Sequence, residues 1–303
     1  MRIATDTVFN TLVGNVQNME SQQSTLQSEL ATGLTFSQPS DNPTGMASVL
    51  DLVSQDRQVS QYSANANTAL QASQASYSGL TQFNQLSSAV DEIATKANNG
   101  TDSSSQLQTY ATQIDQYLEQ ALQLGNSQFE GNYIYSGTAV DQAPFQATRN
   151  AQGQITTVTY VGNNSQASIP VSTSASISPT TSGATNQSMA GFMNQLVSLR
   201  DALQINDPVG IASAQAQLSA SGDTLVSATA ENSAIQSGIE AIQSHSTSLQ
   251  QNLDSIISSD SSADVATTAT KLTESQTAYQ AVLASSARIM QTSLLNYLTT
   301  TTA

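Results

Sequence analysis

SQPSDNPTGMA, residues 37–47, interrupts two long stretches of helix-forming and small polar residues. Gly33 can end a helix that arrives from the N-terminus. Asp41 or Asn42 can cap a second helix, and Pro43 suits its first position, where no N–H is needed. The pattern therefore predicts a joint, either a hinge or a corner, between two helical segments. Its residues are Pro39, Asp41, Asn42, Pro43 and Gly45.

An apolar stripe lies upstream of this joint, where large apolar residues recur at alternating steps of three and four. The spacing is typical of a coiled coil and predicts a helix from about Thr5 to Thr32, with Gln23 as a polar member of the stripe. A single stripe needs a partner helix to cover it. This N-terminal seam consists of Phe9, Leu12, Val16, Met19, Leu26 and Leu30.

Downstream of the joint, the same spacing predicts a helix over about residues 46–98 and another over about 107–124, separated by a turn. Two long antiparallel helices joined by a short loop are expected. The apolar positions of the second helix are predicted to be Leu107, Tyr110, Ile114, Tyr117, Ala121 and Leu124.

A segment of different texture follows, rich in β-branched and aromatic residues with Gly and Asn between them, as in QITTVTYVG. It predicts a small β-rich insert over residues 132–183, with Pro170 confining the last strand to an edge. So few strands are marginal alone, so we expect the insert to lean on the helices or on a neighbour. The stretch TSASISPTTSGATNQS, residues 173–188, is predicted to be a polar linker.

Helix is predicted again from about Ser188, with a break at Pro208 and an interruption at residues 258–264. The last helix carries a second apolar stripe that mirrors the one at the N-terminus. This C-terminal seam comprises Val282, Leu283, Ile289, Met290, Leu294 and Leu298. We hypothesise that the two seams pair with each other and with neighbouring subunits.

Together these patterns predict a mainly α fold. We expect an elongated rod of long coiled-coil-like helices, with both termini at one end and the small β-rich insert at the other. The expected domains are a terminal coiled-coil domain, a helical rod domain and an outer insert, each of the first two built from two stretches of chain. Their residues are 1–40 with 260–303, 41–131 with 184–259, and 132–183.

Composition limits both the core and the partners. Hydrophobic residues make up 38% of the chain and aromatic residues 5%, so burial is expected in thin seams rather than in a thick interior. The formal net charge of −15 opposes a phosphate backbone or an anionic lipid surface, so neither nucleic acid nor membrane is expected as a partner. No run approaches about 18 apolar residues and no signal peptide is recognisable, so we expect a cytoplasmic protein unless export is signal-independent.

Candidates for catalysis are few. Cysteine is absent, and the single histidine, His245, lies beside an apolar stripe as a surface or packing residue would. Asp91 and Glu92 are adjacent on a helix and point in different directions, so both are expected to be solvated. The tyrosines of the insert could form a recognition platform, but they more often stabilise a small sheet. We therefore predict no catalytic residue, no cofactor and no metal site.

Three stretches resemble the flagellin and hook-associated protein family, and they occur in family order. They are LATGLTFSQPSDNPTGMASVLDL (30–52), NSQFEGNYIYSGTAVDQAPF (126–145) and AYQAVLASSARIMQTSLLNYL (278–298). Asn42 stands where a second aspartate is common in the family, and Thr32 where serine is common; the first change is mild because Asn and Asp cap helices equally well.

The resemblance implies a structural subunit of the bacterial flagellum that connects hook-associated protein to filament. It also implies a homo-oligomeric ring or helical layer, contacts with an adjacent hook-associated protein and with flagellin, an export chaperone, and export to the extracellular flagellum through the type III apparatus without a cleaved signal peptide. Terminal helices would form an inner coiled coil, and sliding along a thin seam would match a curved hook to a stiffer filament.

Two alternatives remain open. One is a flagellin filament subunit, although flagellins usually carry Ala-Lys-Asp-Asp-Ala-Ala-Gly near residues 37–45 and end in Leu-Leu-Arg, whereas this chain ends in SLLNYLTTTTA. The other is a secreted adhesive or binding module, in which the β insert would be the recognition surface and the helices a stalk.

Overall fold

The computed structural model describes the backbone of residues 2–300 and the side chains of residue 7 and of residues 10–291. Within this part of the chain the fold is mainly α, as predicted. The helices are α1 (Arg2–Thr32), α2 (Pro43–Ala97), α3 (Ser104–Gly125), α4 (Gly183–Gln204), α5 (Pro208–Ser261) and α6 (Val265–Thr300). The strands are β1 (Gln128–Phe129), β2 (Asn132–Tyr133), β3 (Phe145–Arg149), β4 (Ile155–Tyr160), β5 (Ile169–Pro170) and β6 (Ser176–Ile177).

The chain divides into two compact units. The terminal unit comprises Met1–Arg57 and Gln250–Ala303, and the central unit comprises Gln58–Leu249. Helices α2 and α5 contribute residues to both units because the unit boundaries fall inside them. The terminal unit therefore brings the first and the last segments of the sequence together.

In the terminal unit, α1 packs along α6. Gln23 Nε2 donates a hydrogen bond to the Ser275 carbonyl oxygen (3.1 Å), and the Tyr279 hydroxyl donates to Glu20 Oε1 (2.7 Å). Because residue numbers rise along α1 while those of the partners fall along α6, the two helices are antiparallel. The partner helix that the N-terminal seam requires is therefore α6.

In the central unit, α2, α3, α4 and α5 share one hydrophobic core. The Phe83 ring on α2 meets the Phe192 ring on α4 edge-on, with the ring centroids 6.4 Å apart, and meets the Tyr135 ring in the same way at 6.5 Å. Such edge-to-face pairs add about 0.5–1.5 kcal/mol to the burial of their area. Ile114 on α3 and Leu218 on α5 are also buried in this core.

The buried face of α3 differs from the predicted one. Leu107, Ile114 and Ala121 are buried as expected, but Tyr110, Tyr117 and Leu124 are only half-buried. The neighbouring positions on the other side of the stripe are buried instead, and these are Ala111, Leu118 and Gly125. A helix that packs against several others buries a wider face than a single coiled-coil seam does. The heptad pattern therefore predicts an edge of the buried face that lies one residue from the observed edge.

Hydrogen bonds between uncharged side chains connect α2 and α5 along the central unit. Each joins an amide group to another amide or to a hydroxyl, and none involves an ionised group. The pairs are Asn67 with Gln243 (2.8 Å), Ser73 with Asn232 (3.2 Å), Asn84 with Thr229 (2.8 Å), Thr95 with Gln215 (2.9 Å) and, directly after the end of α2, Asn98 with Gln215 (3.1 Å).

The strands of the predicted β-rich insert do not share one sheet. Within residues 128–177 the strands pair as separate antiparallel hairpins, β1 with β2, β3 with β4, and β5 with β6. The strands are two to six residues long, and Gly131 and Gly153 adopt left-handed conformations in the turns of the first two hairpins. Chain reversal at each of these points leaves no strand long enough to extend a shared sheet.

The hairpins lean on the helices, as predicted for so few strands. The Asn194 side chain on α4 accepts a hydrogen bond from the Val158 N–H and donates one to the Val158 carbonyl, both at 2.8 Å. Arg149 on β3 forms an ion pair with Glu119 on α3. The hydrogen bond from Arg149 holds the pKa of Glu119 below its ordinary value.

Arg200 on α4 is buried, with 2% of its side chain exposed. Its guanidinium group donates to Asp115 on α3 (2.9 Å), to Asp201 (2.7 Å) and to the Ile155 carbonyl on β4 (2.7 Å). Burial opposes the charged form, but the hydrogen bonds to the two carboxylates outweigh it, and the pKa of Arg200 is raised. Arg200 therefore ties two helices and a strand together.

The stretch predicted to be a polar linker is largely packed. Pro179 and Thr181 are buried, and α4 begins at Gly183, earlier than the predicted Ser188. The early start has a local cause, because Ser182 caps the helix by accepting a hydrogen bond from the Thr185 N–H (3.1 Å).

Candidate assembly surface

The predicted joint begins where α1 ends, at Thr32. Gly33 adopts a left-handed conformation (φ +71°), and its N–H donates to the Glu29 carbonyl (2.8 Å). The new helix α2 begins at Pro43, and Asn42 Oδ1 accepts from the Gly45 N–H (2.9 Å). Of the two possible caps, Asn42 is therefore the one that the structure uses.

Asp41 organises the turn before this cap. Its Oδ2 atom accepts hydrogen bonds from the backbone N–H groups of Ser37 (3.2 Å) and Gln38 (3.0 Å). Pro39 and Asp41 are both exposed. The side chains of the joint are thus engaged mainly in holding the backbone of the joint itself.

Gly45 is required by close packing. A Cβ atom at this position would lie 2.5 Å from Asn42 Nδ2 and 3.1 Å from the Phe36 ring. Phe36 is one of the buried apolar residues of the terminal unit, with 7% of its surface exposed. Any larger residue at position 45 would push the capping side chain away from the helix end.

A second connection meets the joint, and no pattern in the sequence predicts it. The Thr35 N–H donates to the Ser261 carbonyl and the Ala263 N–H donates to the Gly33 carbonyl, both at 2.8 Å. These bonds flank an antiparallel bridge between Leu34 and Ser262. Backbone hydrogen bonds therefore join the α1–α2 connector to the α5–α6 connector.

Asp264 caps α6 beside this bridge. Its carboxylate accepts hydrogen bonds from the Thr267 hydroxyl (2.7 Å) and from the N–H groups of Thr267 (3.3 Å) and Ala266 (3.0 Å). The bonds from Thr267 and then from Ala266 lower the pKa of Asp264. Both helices that leave the paired connectors, α2 and α6, therefore start from a side-chain cap.

Few of the predicted seam residues of α1 are fully covered. Leu26 is buried, with 7% of its surface exposed. Leu12, Val16, Met19 and Leu30 are half-buried. The side chain of Phe9 lies outside the described residues.

The seam of α6 is more open than that of α1. Val282 is half-buried, whereas Leu283, Ile289 and Met290 are exposed by 43%, 46% and 47%. The side chains of Leu294 and Leu298 lie outside the described part of the chain. Pairing with α1 therefore leaves much of this apolar stripe accessible.

The terminal unit has a small apolar interior. Among its described side chains, the buried apolar ones are Leu26, Phe36 and Leu253, and the buried polar ones are Ser261, Thr268 and Ser275. Its helices nevertheless include α1, with 31 residues, and α6, with 36. Such long helices expose most of their surface when each has one neighbour.

The other candidate residues do not form a site with these. His245 is exposed on α5, and Glu92 pairs with Lys96 (2.6 Å), which lowers the pKa of Glu92. Asp91 is not solvated as predicted: it is half-buried beside the buried Val90, and its Oδ1 atom is buried without a hydrogen-bond partner.

The tyrosines of the insert do not form one platform. Tyr135 is fully buried, and its hydroxyl donates to the Ser76 carbonyl on α2 (3.0 Å). Tyr160 is half-buried, and its ring lies 5.5 Å from that of Phe145.

Within the described residues, no three or more His, Cys, Asp or Glu side chains are grouped as a metal site would need. Nor does any helix in that part of the chain combine the length and apolarity that crossing a membrane would need.

Comparison with known proteins links this arrangement to flagellar proteins. Residues 3–140 match the bacterial flagellin N-terminal helical region. Flagellar hook-associated protein 3 of Salmonella typhimurium is 29% identical over 161 residues, which cover 52% of this chain and 51% of that protein. Phase 1 flagellin of Salmonella naestved is 31% identical over 123 residues, covering 39% of this chain and 24% of the flagellin. The chain thus matches about half the length of the first relative and less of the second.

A solved structure supports the fold. A Vibrio parahaemolyticus protein assigned as flagellar hook-associated aligns over 73% of this chain and 100% of its own, with a TM-score of 0.64 at 15% identity. This likeness concerns the fold. In sequence, the chain is similar to flagellar hook-associated protein 3 over about half its length, and its residues 3–140 match the flagellin N-terminal helical region.

Proposed function

We propose that this chain is a non-enzymatic structural subunit of the bacterial flagellum, which joins hook-associated protein to the filament by self-assembly through α1 and α6. The observation that carries the proposal is the thin interior of the terminal unit, where an apolar stripe remains about half exposed on α6. The relationship to flagellar hook-associated protein 3 supports the location.

The physical argument concerns how long helices are stabilised. Most helical stability in proteins comes from packing of an apolar face, because helix propensity alone is marginal in water. In the pair formed by α1 and α6, Leu26 is the one buried residue of the described α1 seam. Such packing therefore stabilises the pair little. Exposed apolar stripes of this kind typically mark surfaces that bind other proteins. Further helices of the same type would complete the seams by coiled-coil packing.

In this proposal the partners are copies of the same chain, arranged in a ring or helical layer, with a hook-associated protein on one side and flagellin on the other. Residues 1–40 and 260–303 form the assembly domain, residues 41–131 and 184–259 the helical rod, and residues 132–183 the outer domain. The joint from Pro39 to Gly45 connects α1 of this assembly domain to α2. An export chaperone and a signal-independent route to the extracellular flagellum complete the proposal.

The experiment places a charge in the α6 seam. We expect the double variant Leu283→Asp/Met290→Asp to fold, because both side chains are about half exposed, but to lose attachment of filaments to hooks when expressed in a strain that lacks the chain. Val226→Asp is the matched control, because Val226 is 59% exposed on α5 in the central unit. Normal attachment by the seam variant, or equal loss in the control, would contradict the proposal.

A flagellin filament subunit is the second candidate, favoured by the match of residues 3–140 to the flagellin N-terminal region. The two functions differ in what a strain lacking the chain produces. Loss of a junction leaves intact filament protein detached in the medium. Loss of a filament subunit leaves intact hooks with little filament protein anywhere, and electron microscopy with analysis of the medium distinguishes the two.

A further inference from the structure

The buried face of α2 changes character within the central unit. From Leu80 to Ile93 it carries large apolar side chains, which face the core shared with α3, α4 and α5. Before Leu80 its buried residues are all small, namely Ala66, Ala69, Ser73, Ser76 and Gly79. Small side chains bring the backbone of a helix close to its neighbour, so a different kind of neighbour is expected here.

Over Ser76 and Gly79 that neighbour is Tyr135, whose hydroxyl donates to the Ser76 carbonyl and leaves no room for a Cβ atom at position 79. Over Ala66 and Ala69 it is an extended segment, residues 166–182, which we call the strap. Val171 of the strap is buried in a separate hydrophobic cluster with Ala66 and Ala69 on α2 and with Ile239 on α5. The Asn65 side chain on α2 donates to the Pro170 carbonyl of the strap (2.8 Å). The strap therefore covers the part of the α2–α5 pair that large side chains do not fill.

Asn232 on α5 joins the strap to both helices. It is 2% exposed, and its Nδ2 atom donates to the Pro179 carbonyl of the strap (3.3 Å). Its Oδ1 atom accepts from Ser73 Oγ on α2 (3.2 Å) and from Gln236 Nε2 (3.0 Å). A buried polar layer with its partners satisfied specifies one arrangement, because a displaced partner would leave the others unpaired.

The strap is held weakly compared with the helices. Its hairpin consists of β5 and β6, with two residues each, and Ile169 and Ile177 are only half-buried. Thr180 Oγ1 is buried without a hydrogen-bond partner, which makes the packed position of the strap less stable. Segments with few buried apolar contacts open at lower free energy than a core does.

We propose that the strap is a releasable cover over a groove between α2 and α5. This groove binds an extended polypeptide segment with the same chemistry as the strap, which is short β-branched and hydroxyl-bearing residues with exposed backbone carbonyls. The groove is lined by Ala66, Ala69, Ser73, Asn232 and Ile239. Opening the strap uncovers the surface around Ala66 and Ser73 on α2 and around Asn232 and Ile239 on α5, which lies within residues 58–79 and 232–249, while the core around Leu80–Ile93 stays closed. The inference concerns the central unit and does not depend on the flagellar role.

The first test opens the strap in the full chain. In Val171→Asp a carboxylate replaces the buried side chain, and hydrogen exchange measured by mass spectrometry is expected to rise at least tenfold in residues 58–79 and 232–249, with residues 80–97 unchanged. Val161→Asp is the control in the same insert, because Val161 is 41% exposed. Unchanged exchange, or an equal rise throughout the central unit, would overturn the proposal.

The second test supplies the strap from outside. A synthetic peptide of residues 166–182, QASIPVSTSASISPTTS, is added to the Val171→Asp chain. We expect it to restore slow exchange in residues 58–79 and 232–249, and a peptide with the same Val→Asp change to have no effect. Failure of the unmodified peptide at millimolar concentration, or equal action of both peptides, would rule out a groove that accepts extended chain.

Discussion

The terminal and central units are both built from long helices with apolar residues at heptad spacing, but they bury these residues to very different extents. In the terminal unit, α1 and α6 have mainly each other, and Leu26 is the fully buried member of the described seam. In the central unit, α2–α5 surround a core that includes fully buried Phe83, Phe192 and Leu118. The spacing of apolar residues along a helix indicates which face is covered, whereas the number of neighbouring helices decides how completely that face is buried.

The difference also concerns what stabilises each unit. Burial of apolar surface contributes roughly 25 cal/mol per Å², so a unit with few buried side chains gains little free energy on folding alone. The central unit has its own core and an internal ion-pair network at Arg200. We therefore expect the central unit to fold independently of concentration and the terminal unit to depend on assembly.

The largest expected effect contrasts one buried phenylalanine in each unit. Phe83→Ala should lower the free energy of unfolding of the central unit by about 3–5 kcal/mol, because it leaves a cavity among α2, α4 and Tyr135. Phe36→Ala should cost less, since Leu26 and Leu253 are the other buried apolar side chains in the described part of the terminal unit. Urea unfolding of dilute protein, followed by hydrogen exchange in each unit, measures both. Similar losses from the two variants would remove the distinction between the units.

A smaller effect comes from Tyr135. Burial raises the pKa of Tyr135 and the hydrogen bond to Ser76 only partly opposes this, so the folded central unit favours the neutral phenol. This contribution is complete below the unfolded pKa of about 10 and is lost as pH rises above it towards the folded pKa.

Tyr135→Phe should therefore cost about 1 kcal/mol at pH 7, through the lost hydrogen bond, and flatten the alkaline decline in stability. Tyr279→Phe is the matched variant in the terminal unit, and it should leave the decline of the central unit unchanged. Urea midpoints between pH 8 and 11 provide the measurement, and an unaltered alkaline decline in Tyr135→Phe would show that another group causes it.

The smallest effect concerns the cap of α2. Asn42→Ala should destabilise the start of this helix by about 1 kcal/mol, because the Gly45 N–H loses its acceptor. Asn42→Asp should retain the cap, since the two side chains cap helices equally well. Hydrogen exchange at residues 43–47 detects the change, and fast exchange in both variants would mean that the acceptor is not what holds the helix end.

Local chemistry explains which parts of this fold could be predicted. Gly33 and Pro43 act within a few residues of themselves, so the end of α1 and the start of α2 follow from the sequence, whereas α4 begins at Gly183, before the predicted Ser188. Arg200 could not be placed, because its partner Asp115 lies 85 residues away and nothing near Arg200 signals burial.

The packing of the strap and the backbone hydrogen bonds between the two connectors could not be predicted, for a similar reason. The strap is mostly serine, threonine and alanine, which are equally typical of a mobile linker. The small residues from Ala66 to Ser73 on α2 were the available signal, because a helix seam without large side chains needs a close neighbour. The backbone bridge between Leu34 and Ser262 involves no particular side chain, so no pattern could indicate it.

The amide and hydroxyl bonds between α2 and α5 bear on the surroundings that the molecule can tolerate. Dissolved ions weaken attraction between exposed charges, but they have little effect on bonds between uncharged groups. Carboxamides and alcohols also neither gain nor lose protons over the range in which bacteria live. The two helices should consequently keep their partners equally well in dilute fresh water, in brine and in mildly acidic or alkaline habitats.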